Sequence, residues 1–362
     1  MLESVAALSG AGWRVVVTLP VPGPLVALIA ERGGEVSLCP SPVLRKSAMR
    51  PAGFVRLGTH ALRSVLPGNR LLRRLAPDLV YVSTMTLPLW LLLGRLRRTP
   101  VLTHVHEAER SVPWPVRRLL ALPLLASTSI VTNSQFSASV LRSSFAGLAR
   151  RTTVIYNAVP GPPETVPVRD TLAGPVRLLY VGRLSPRKGV DVAIDTIALL
   201  AERGVDVSLE IVGAVFPGYE WYEQQLRDQV RTLGLTERVA FRGFEVDIWR
   251  RLEAADMVLV PSRGDEPFGN TAVEAVLAGR PVIVSATSGL LEAARGYSCA
   301  RVVTADDPSA IATAVEELGS HWAEVRTGIA ADTAEAAERS APARYHQRVA
   351  ALAATLVRDR AA

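Results

Sequence analysis

The stretch GDEPFGNTAVEAVLAGRPVIVS (264–285) decides the fold. It reads as a glycine loop, a helix and an apolar strand, with Glu266 before the helix and Glu274 in its first turn. Upstream, VGRLSPRKG (181–189) sets Arg183 and Lys188 where another strand gives way to another helix. A cation at a helix N-terminus faces the positive end of the dipole and is unfavourable by roughly 0.3–1 kcal/mol unless an anion lies between them. Arg183, Lys188 and a helix starting near Gly189 therefore predict a bound phosphate group. Carboxylates repel phosphate, so Glu266 and Glu274 are assigned to neutral hydroxyls, as on ribose and sugar rings. Sugar plus diphosphate implies a nucleotide sugar. On sequence mechanics alone, Thr271 to Glu274 also fits the T-x-x-E box that closes a helix N-terminus.

Short valine-rich runs alternate with helical stretches along the whole chain, the pattern of parallel sheets with crossover helices. The first half offers strands at Trp13–Leu19, Glu35–Cys39, Leu79–Ser83, Val101–Val105, Ser129–Asn133 and Thr153–Asn157. A second series follows at Val176–Val181, Ser208–Val212, Val239–Arg242, Met257–Val260, Val282–Ser285 and Arg301–Thr304. Between them the proline-rich AVPGPPETVPVRDTLAGP (158–175) reads as a linker. The expected fold class is α/β: two Rossmann-like, doubly wound parallel-sheet domains facing a cleft. The domains are assigned to 1–160 and 176–340, with a linker at 161–175.

With 362 residues, each domain is long enough to bury its own core. Arginine outnumbers lysine 39 to 2, as a GC-rich genome produces. Charge is uneven, +13 over residues 1–169 and −6 over 170–362. A basic half suits nucleic acid, anionic lipid or an acidic acceptor. No zinc-finger spacing or aromatic-interleaved motif supports nucleic acid. PWPVRRLLALPLLAS (113–127) sets two arginines beside a leucine run, which reads as a core helix with a solvated Arg117–Arg118 face or as a helix lying on an anionic membrane. LVYVSTMTLPLWLLLG (79–94) is too short to span a bilayer and reads as strand, turn and buried helix. Cys39 and Cys299 offer no disulfide framework and predict a reducing compartment, and the opening residues lack a cationic n-region.

The pair E-x7-E of EPFGNTAVEAVLAGRPVIVS, the G-R-x4-K-G of VGRLSPRKG, VTNSQFSASVLR (131–142), VIYNAV (154–159) and His106 after PVLTHV together resemble the retaining glycosyltransferases of family 4, from about Val5 to Pro308. The resemblance implies the two-domain GT-B fold, with an acceptor-binding N-terminal domain, a nucleotide-sugar-binding C-terminal domain and a final helix, 341–362, crossing back to the first. It implies metal-independent sugar transfer from a nucleotide-diphosphate sugar, in bacterial cell-envelope or exopolysaccharide synthesis; the cysteines predict a cytoplasmic location, and the basic half with 113–127 a peripheral one at the inner membrane face. By the same resemblance Glu266 contacts the donor sugar and Glu274 the ribose, while Arg183 and Lys188 stabilise the leaving diphosphate. Gly269, Asn270 and Thr271 present backbone N–H groups to the diphosphate, and Phe268 belongs to the same donor-binding set. Gly243 and Phe244 border the nucleobase, and His106 orients the sugar. Glu107 follows where the family often has an acid.

Arg187 is expected to face outward, His104 to be structural, and Gly213 to permit a tight turn. His104, His106 and Glu107 also allow a metal reading, but no other histidine has the spacing to complete it. The sequence departs from the family at Ser288, where a second glycine is usual, and at Tyr156 and Ala158. MLESVAALSGAGWRVVVTLP resembles the family's first helix and second strand, so a first strand and glycine loop are expected to precede it. Two alternatives follow: a catalytically impaired nucleotide-sugar-binding scaffold, or a GT-B sugar-nucleotide epimerase.

Overall fold

The computed structural model describes residues 1–44, 51–108 and 110–361, with backbone only for 51–56 and 361. It divides into two compact units, residues 1–158 with 342–362, and residues 159–341. The first unit runs α1 (Leu2–Gly10), β1 (Val15–Leu19), α2 (Leu25–Glu31), β2 (Gly34–Leu38), α3 (Pro51–Leu75), β3 (Val80–Val82), α4 (Pro88–Leu96), β4 (Val101–Val105), α5 (Trp114–Ala121), β5 (Ser129–Thr132), α6 (Gln135–Ser144) and β6 (Thr152–Val154). The second runs β7 (Val176–Val181), α7 (Val190–Glu202), β8 (Val207–Val212), α8 (Glu220–Thr232), β9 (Val239–Gly243), α9 (Trp249–Ala254), β10 (Met257–Val260), α10 (Asn270–Leu277), β11 (Val282–Ser285), α11 (Ser288–Ala293), β12 (Ala300–Val303), α12 (Pro308–Ser320) and α13 (Trp322–Ser340). The last helix, α14 (Pro342–Ala361), belongs to the first unit.

All twelve strands anticipated from the valine-rich runs are present, and every pairing is parallel. Strands covered on both faces are mostly apolar: β4, β10 and β11 are buried at every position, and β4 carries Thr103 and His104 among its valines and leucine. In the second unit the order is β12-β11-β10-β7-β8-β9. The order reverses between β7 and β10, the switch point at whose C-terminal end ligands bind in open α/β sheets.

The first unit holds two ladders, β1-β2 and β3-β4-β5-β6. On one side the sheet packs under α3, α4 and α5, whose Leu71, Trp90, Leu91 and Ala121 share a core with Val101 and Ile130. On the other, Ala7 and Leu8 of α1 and Tyr345, Val349 and Ala353 of α14 cover Leu102, Val131 and Ile155.

The proline-rich stretch after Ala158 is not a free linker. It is irregular backbone laid along the second unit, because two arginines tie it down. Arg280 is 1% exposed and has no carboxylate partner among the described residues; its guanidinium donates to the carbonyls of Leu252, Glu253, Gly279 and Val166 instead. Burial lowers its pKa to about 10. Arg169 and Arg177 both pair with the fully buried Asp256, which also accepts the Arg177 N–H at 2.7 Å. Burial pushes the Asp256 carboxyl up, but the hydrogen bonds from Arg177 and Arg169 hold it below its usual value.

A depressed carboxyl pKa contributes stability that is present above the unfolded value and lost as pH falls through the folded one. Asp256→Asn should therefore cost about 3 kcal/mol near pH 7, since it leaves two partly buried arginines without their shared carboxylate. Denaturant melts of both proteins should show this gap closing below about pH 4.

Candidate functional site

Two loops meet at the crevice between β7 and β10. Gly189, at φ +65°, makes their contact possible: a Cβ there would lie 2.0 Å from the Pro261 carbonyl oxygen. Main-chain N–H groups of Arg263 and Gly264 donate to the Arg187 carbonyl, and Arg263 pairs with Asp191 at 2.6 Å. Asp191 sits in the first turn of α7. The positive end of that helix thus faces a carboxylate of the protein itself, which weakens the helix-start argument for a phosphate there. Lys188 closes a 3-10 turn, Pro186–Lys188, just before α7.

Glu266 is 6% exposed at the centre of the two loops. Its Oε1 receives Arg187 Nη1 at 2.7 Å, Lys188 Nζ at 2.9 Å and Ser262 Oγ at 3.0 Å. Oε2 takes no hydrogen bond from the described residues. Arg187, expected to face outward, instead points in and also donates to the Asp265 carbonyl at 2.7 Å. The physical reason is the buried carboxylate, which draws charged donors to replace its lost water. Arg183 is exposed; its guanidinium lies 3.7 Å from the centre of the Phe216 ring, and its carbonyl accepts the Tyr180 hydroxyl.

The main chain of Glu266 is fixed from α11. Ser288 Oγ accepts the Glu266 N–H at 2.8 Å and donates to its carbonyl at 3.1 Å. Ser288 has φ +28°, a region that favours glycine, and its hydroxyl bonds accompany that strain. Gly289 follows because a Cβ there would lie 2.5 Å from the Glu266 carbonyl oxygen. The departure from the family pattern at Ser288 thus adds a grip on the central residue.

The cap reading of Thr271 and Glu274 is overturned. α10 starts at Asn270 with Gly269 (φ +128°) as N-cap, so Glu274 falls in the second turn, beyond reach of the cap. The Thr271 hydroxyl donates instead to the Val181 carbonyl. Glu274 is mostly buried, makes no side-chain hydrogen bond or ion pair with the described residues, and burial raises its pKa to about 7. Phe268 is buried and Asn270 exposed.

Gly213, at φ +145°, would put a Cβ 1.8 Å from the Gly182 carbonyl oxygen, and its N–H donates to the Gly243 carbonyl. The ends of β7, β8 and β9 therefore pack main chain to main chain, a closer requirement than a turn. Gly243 is exposed at φ +75° and Phe244 is 75% exposed beside it.

His106 lies in the first unit, just past β4. Its Nε2 is buried without a partner, and burial followed by the Met1 ammonium lowers its pKa to about 4. Its ring packs 4.0 Å from that of His104, which is fully buried. His104 Nδ1 contacts the hydroxyls of Tyr81 at 2.7 Å and Tyr345 at 3.3 Å. Tyr81 gives its proton to Ser4. His104 must therefore supply the proton at Nδ1, which leaves its buried Nε2 as an unfilled acceptor. Glu107 turns away from this region, accepting from Thr84 and from the Met85 and His106 N–H groups. No group of three His, Cys, Asp or Glu side chains suited to a metal occurs among the described residues.

Residues 170–331 match the family described as Glycosyl transferases group 1, and 1–160 match Glycosyltransferase Family 4. The 2-deoxystreptamine glucosyltransferase of Streptomyces kanamyceticus is 30% identical over 288 residues, 71% of this chain and 72% of that protein. The chain belongs to glycosyltransferase family 4. Mannosylfructose-phosphate synthase of Agrobacterium fabrum is 39% identical over 127 residues, 32% of this chain and 26% of that enzyme. A glycosyltransferase of Methanocaldococcus jannaschii matches over 36% of its length, so these two relatives are matched over about a third of their length or less. The structure of Anabaena HepE in complex with UDP-glucose superposes with a TM-score of 0.79 at 22% identity, covering 98% of this chain and 96% of that one. The fold of this glycosyltransferase is therefore GT-B.

In this glycosyltransferase, sequence reasoning missed Ser262, Asp191 and the inward turn of Arg187. The signal for Arg187 was its place beside Lys188, in a chain that carries only two lysines.

The raised Glu274 pKa gives a sign that can be measured. The native state keeps this proton to a higher pH than the unfolded chain, so stability falls as pH rises from about 4.5 to 7. Glu274→Gln should match the parent protein at pH 4 and be more stable by about 1–3 kcal/mol at pH 8. Thermal melts at both pH values check it.

Proposed function

We propose that the chain transfers a sugar from a nucleotide-diphosphate sugar to a hydroxyl acceptor with retention of anomeric configuration. The observation that carries this reading is Glu266: a buried carboxylate with one oxygen saturated by three donors and the other left to accept from a sugar hydroxyl. Glu274 supports it as a second carboxylate with no side-chain partner among the described residues, suited to the two hydroxyls of a ribose. The N–H groups of Gly269, Asn270 and Thr271, at the positive end of α10, suit the diphosphate. Arg183 and Lys188 add positive charge beside them. HepE, whose structures hold UDP and UDP-glucose, supports a nucleotide-sugar donor.

In a retaining transfer the diphosphate gains charge as the glycosidic bond breaks, so cations beside it act more on the transition state than on the ground state. The departing phosphate takes the acceptor proton on the same face, and no side-chain base is required. His106 is neutral above about pH 4, so it would meet a ligand as a hydrogen-bonding group and not as a cation. Gly243 and Phe244 are assigned to the nucleobase. Cations and amides carry the diphosphate charge here, so the proposed transfer is metal-independent.

A thermal-shift screen of nucleotide sugars identifies the donor, because a ligand bound only by the folded state raises Tm. With that donor, Glu266→Gln and Lys188→Ala should each lower kcat/KM by about two powers of ten while circular dichroism is unchanged. Full activity in both variants would remove the assignment. A non-catalytic binding protein would instead show the thermal shift with neither transfer nor donor hydrolysis.

Transfer should also survive EDTA with little change. Abolition by chelation, with recovery on adding Mg²⁺ or Mn²⁺, would contradict the metal-independent reading.

A further inference from the structure

The helices over one side of the first unit's sheet expose leucines where a soluble surface would carry polar groups. α3 and α4 pack together, and α4 packs on the 3-10 turn Leu122–Ala126 that continues α5. All three send leucines inward to one core: Leu71 and Leu72, Leu91 and Leu93, and Leu124. Each also turns leucines the other way. On α3, Leu62 and Leu66 are 75% and 63% exposed; on α4, Leu92 and Leu96 are 50% and 79% exposed. Leu119 of α5, and Leu122 and Leu125 of the 3-10 turn packed on α4, are exposed as well.

Over 113–127 the core-helix reading holds for Leu124 but not for Leu119, Leu122 and Leu125, which are exposed. The arginines are not fully solvated either: Arg118 lies over the Trp114 and Phe145 rings and Arg117 Nε is buried.

Charge on the layer has one sign. No Asp or Glu occurs in 51–75, 88–98 or 112–128. Arg63, Arg70, Arg73 and Arg74 of α3 and Arg95 of α4 are exposed, with no carboxylate partner among the described residues. A second copy of this face would oppose arginine with arginine, and a soluble polyanion would leave the leucines in water. An anionic bilayer satisfies both groups, since leucines enter the acyl boundary while arginines meet headgroup phosphates. No helix among the described residues is long and apolar enough to cross a membrane, so the contact is peripheral.

We propose that the outer face of α3, α4 and α5 docks the first unit on a membrane rich in anionic lipid. The docking is separate from the sugar-transfer reading, and its measurement needs no donor.

The test is sedimentation of the full chain with phosphatidylcholine vesicles, with and without phosphatidylglycerol. Binding is expected only with phosphatidylglycerol and should weaken as salt rises. Arg63→Glu with Arg70→Glu should lower the partition by about tenfold or more. Leu62→Ser, Leu66→Ser and Leu96→Ser together should lower it by about tenfold or more, with Tm unchanged because these side chains are already in water. Absence of binding to anionic vesicles overturns the proposal. So does a leucine variant that binds as tightly as the parent, which would mark the face as a general polyanion site, and so does a leucine-dependent dimer by light scattering.

Discussion

The parallel pairing of β7 with β10 is the constraint on which the second unit's chemistry depends. Met257, Val258 and Leu259 lie beside Leu178, Leu179 and Tyr180, although the strands are about eighty residues apart in the chain. Because both strands point the same way, their C-terminal loops end side by side. One loop brings Arg187 and Lys188, the other Ser262 and Glu266. Glycine at 189 lets the two backbones touch, and the Arg263–Asp191 pair holds them there. α11 then fixes the Glu266 main chain through Ser288.

The two glutamates of the motif live in opposite electrostatic settings. Glu266 is buried among cations, so its charge is compensated before any ligand arrives. Glu274 is mostly buried with no compensating partner among the described residues, and its pKa rises to about 7. A hydroxyl ligand donating to Glu274 would favour its ionised form, so ligand binding and deprotonation reinforce each other there. The first unit has a comparable unfilled pair, the Nε2 atoms of His104 and His106. There the histidine stack is tied to α1 and α14 through Ser4 and Tyr345, which makes the last helix part of the support for the end of β4.

Much of this was legible in the sequence. Short valine-rich runs alternating with helical stretches made all twelve strands visible, those buried throughout and the half-buried ones at the edges alike, and E-x7-E with G-R-x4-K-G carried the family. The errors share one cause. The capping box at Thr271 was a correct local pattern, but the glycine at 269 moved the helix start to Asn270 and took Glu274 out of reach. The proline-rich stretch after Ala158 looked free because nothing local shows that Arg280 and Asp256, more than eighty residues downstream, hold it.

The sequence by itself determined the elements, their parallel arrangement, the family and the residues with chemical capacity, because periodicity and short motifs are local properties. Tertiary structure alone decided which charges meet. Arg187 turns inward, Asp191 answers the α7 dipole and leucines face water on α3 and α4, because burial of a charge or an apolar group depends on neighbours that only long-range packing supplies.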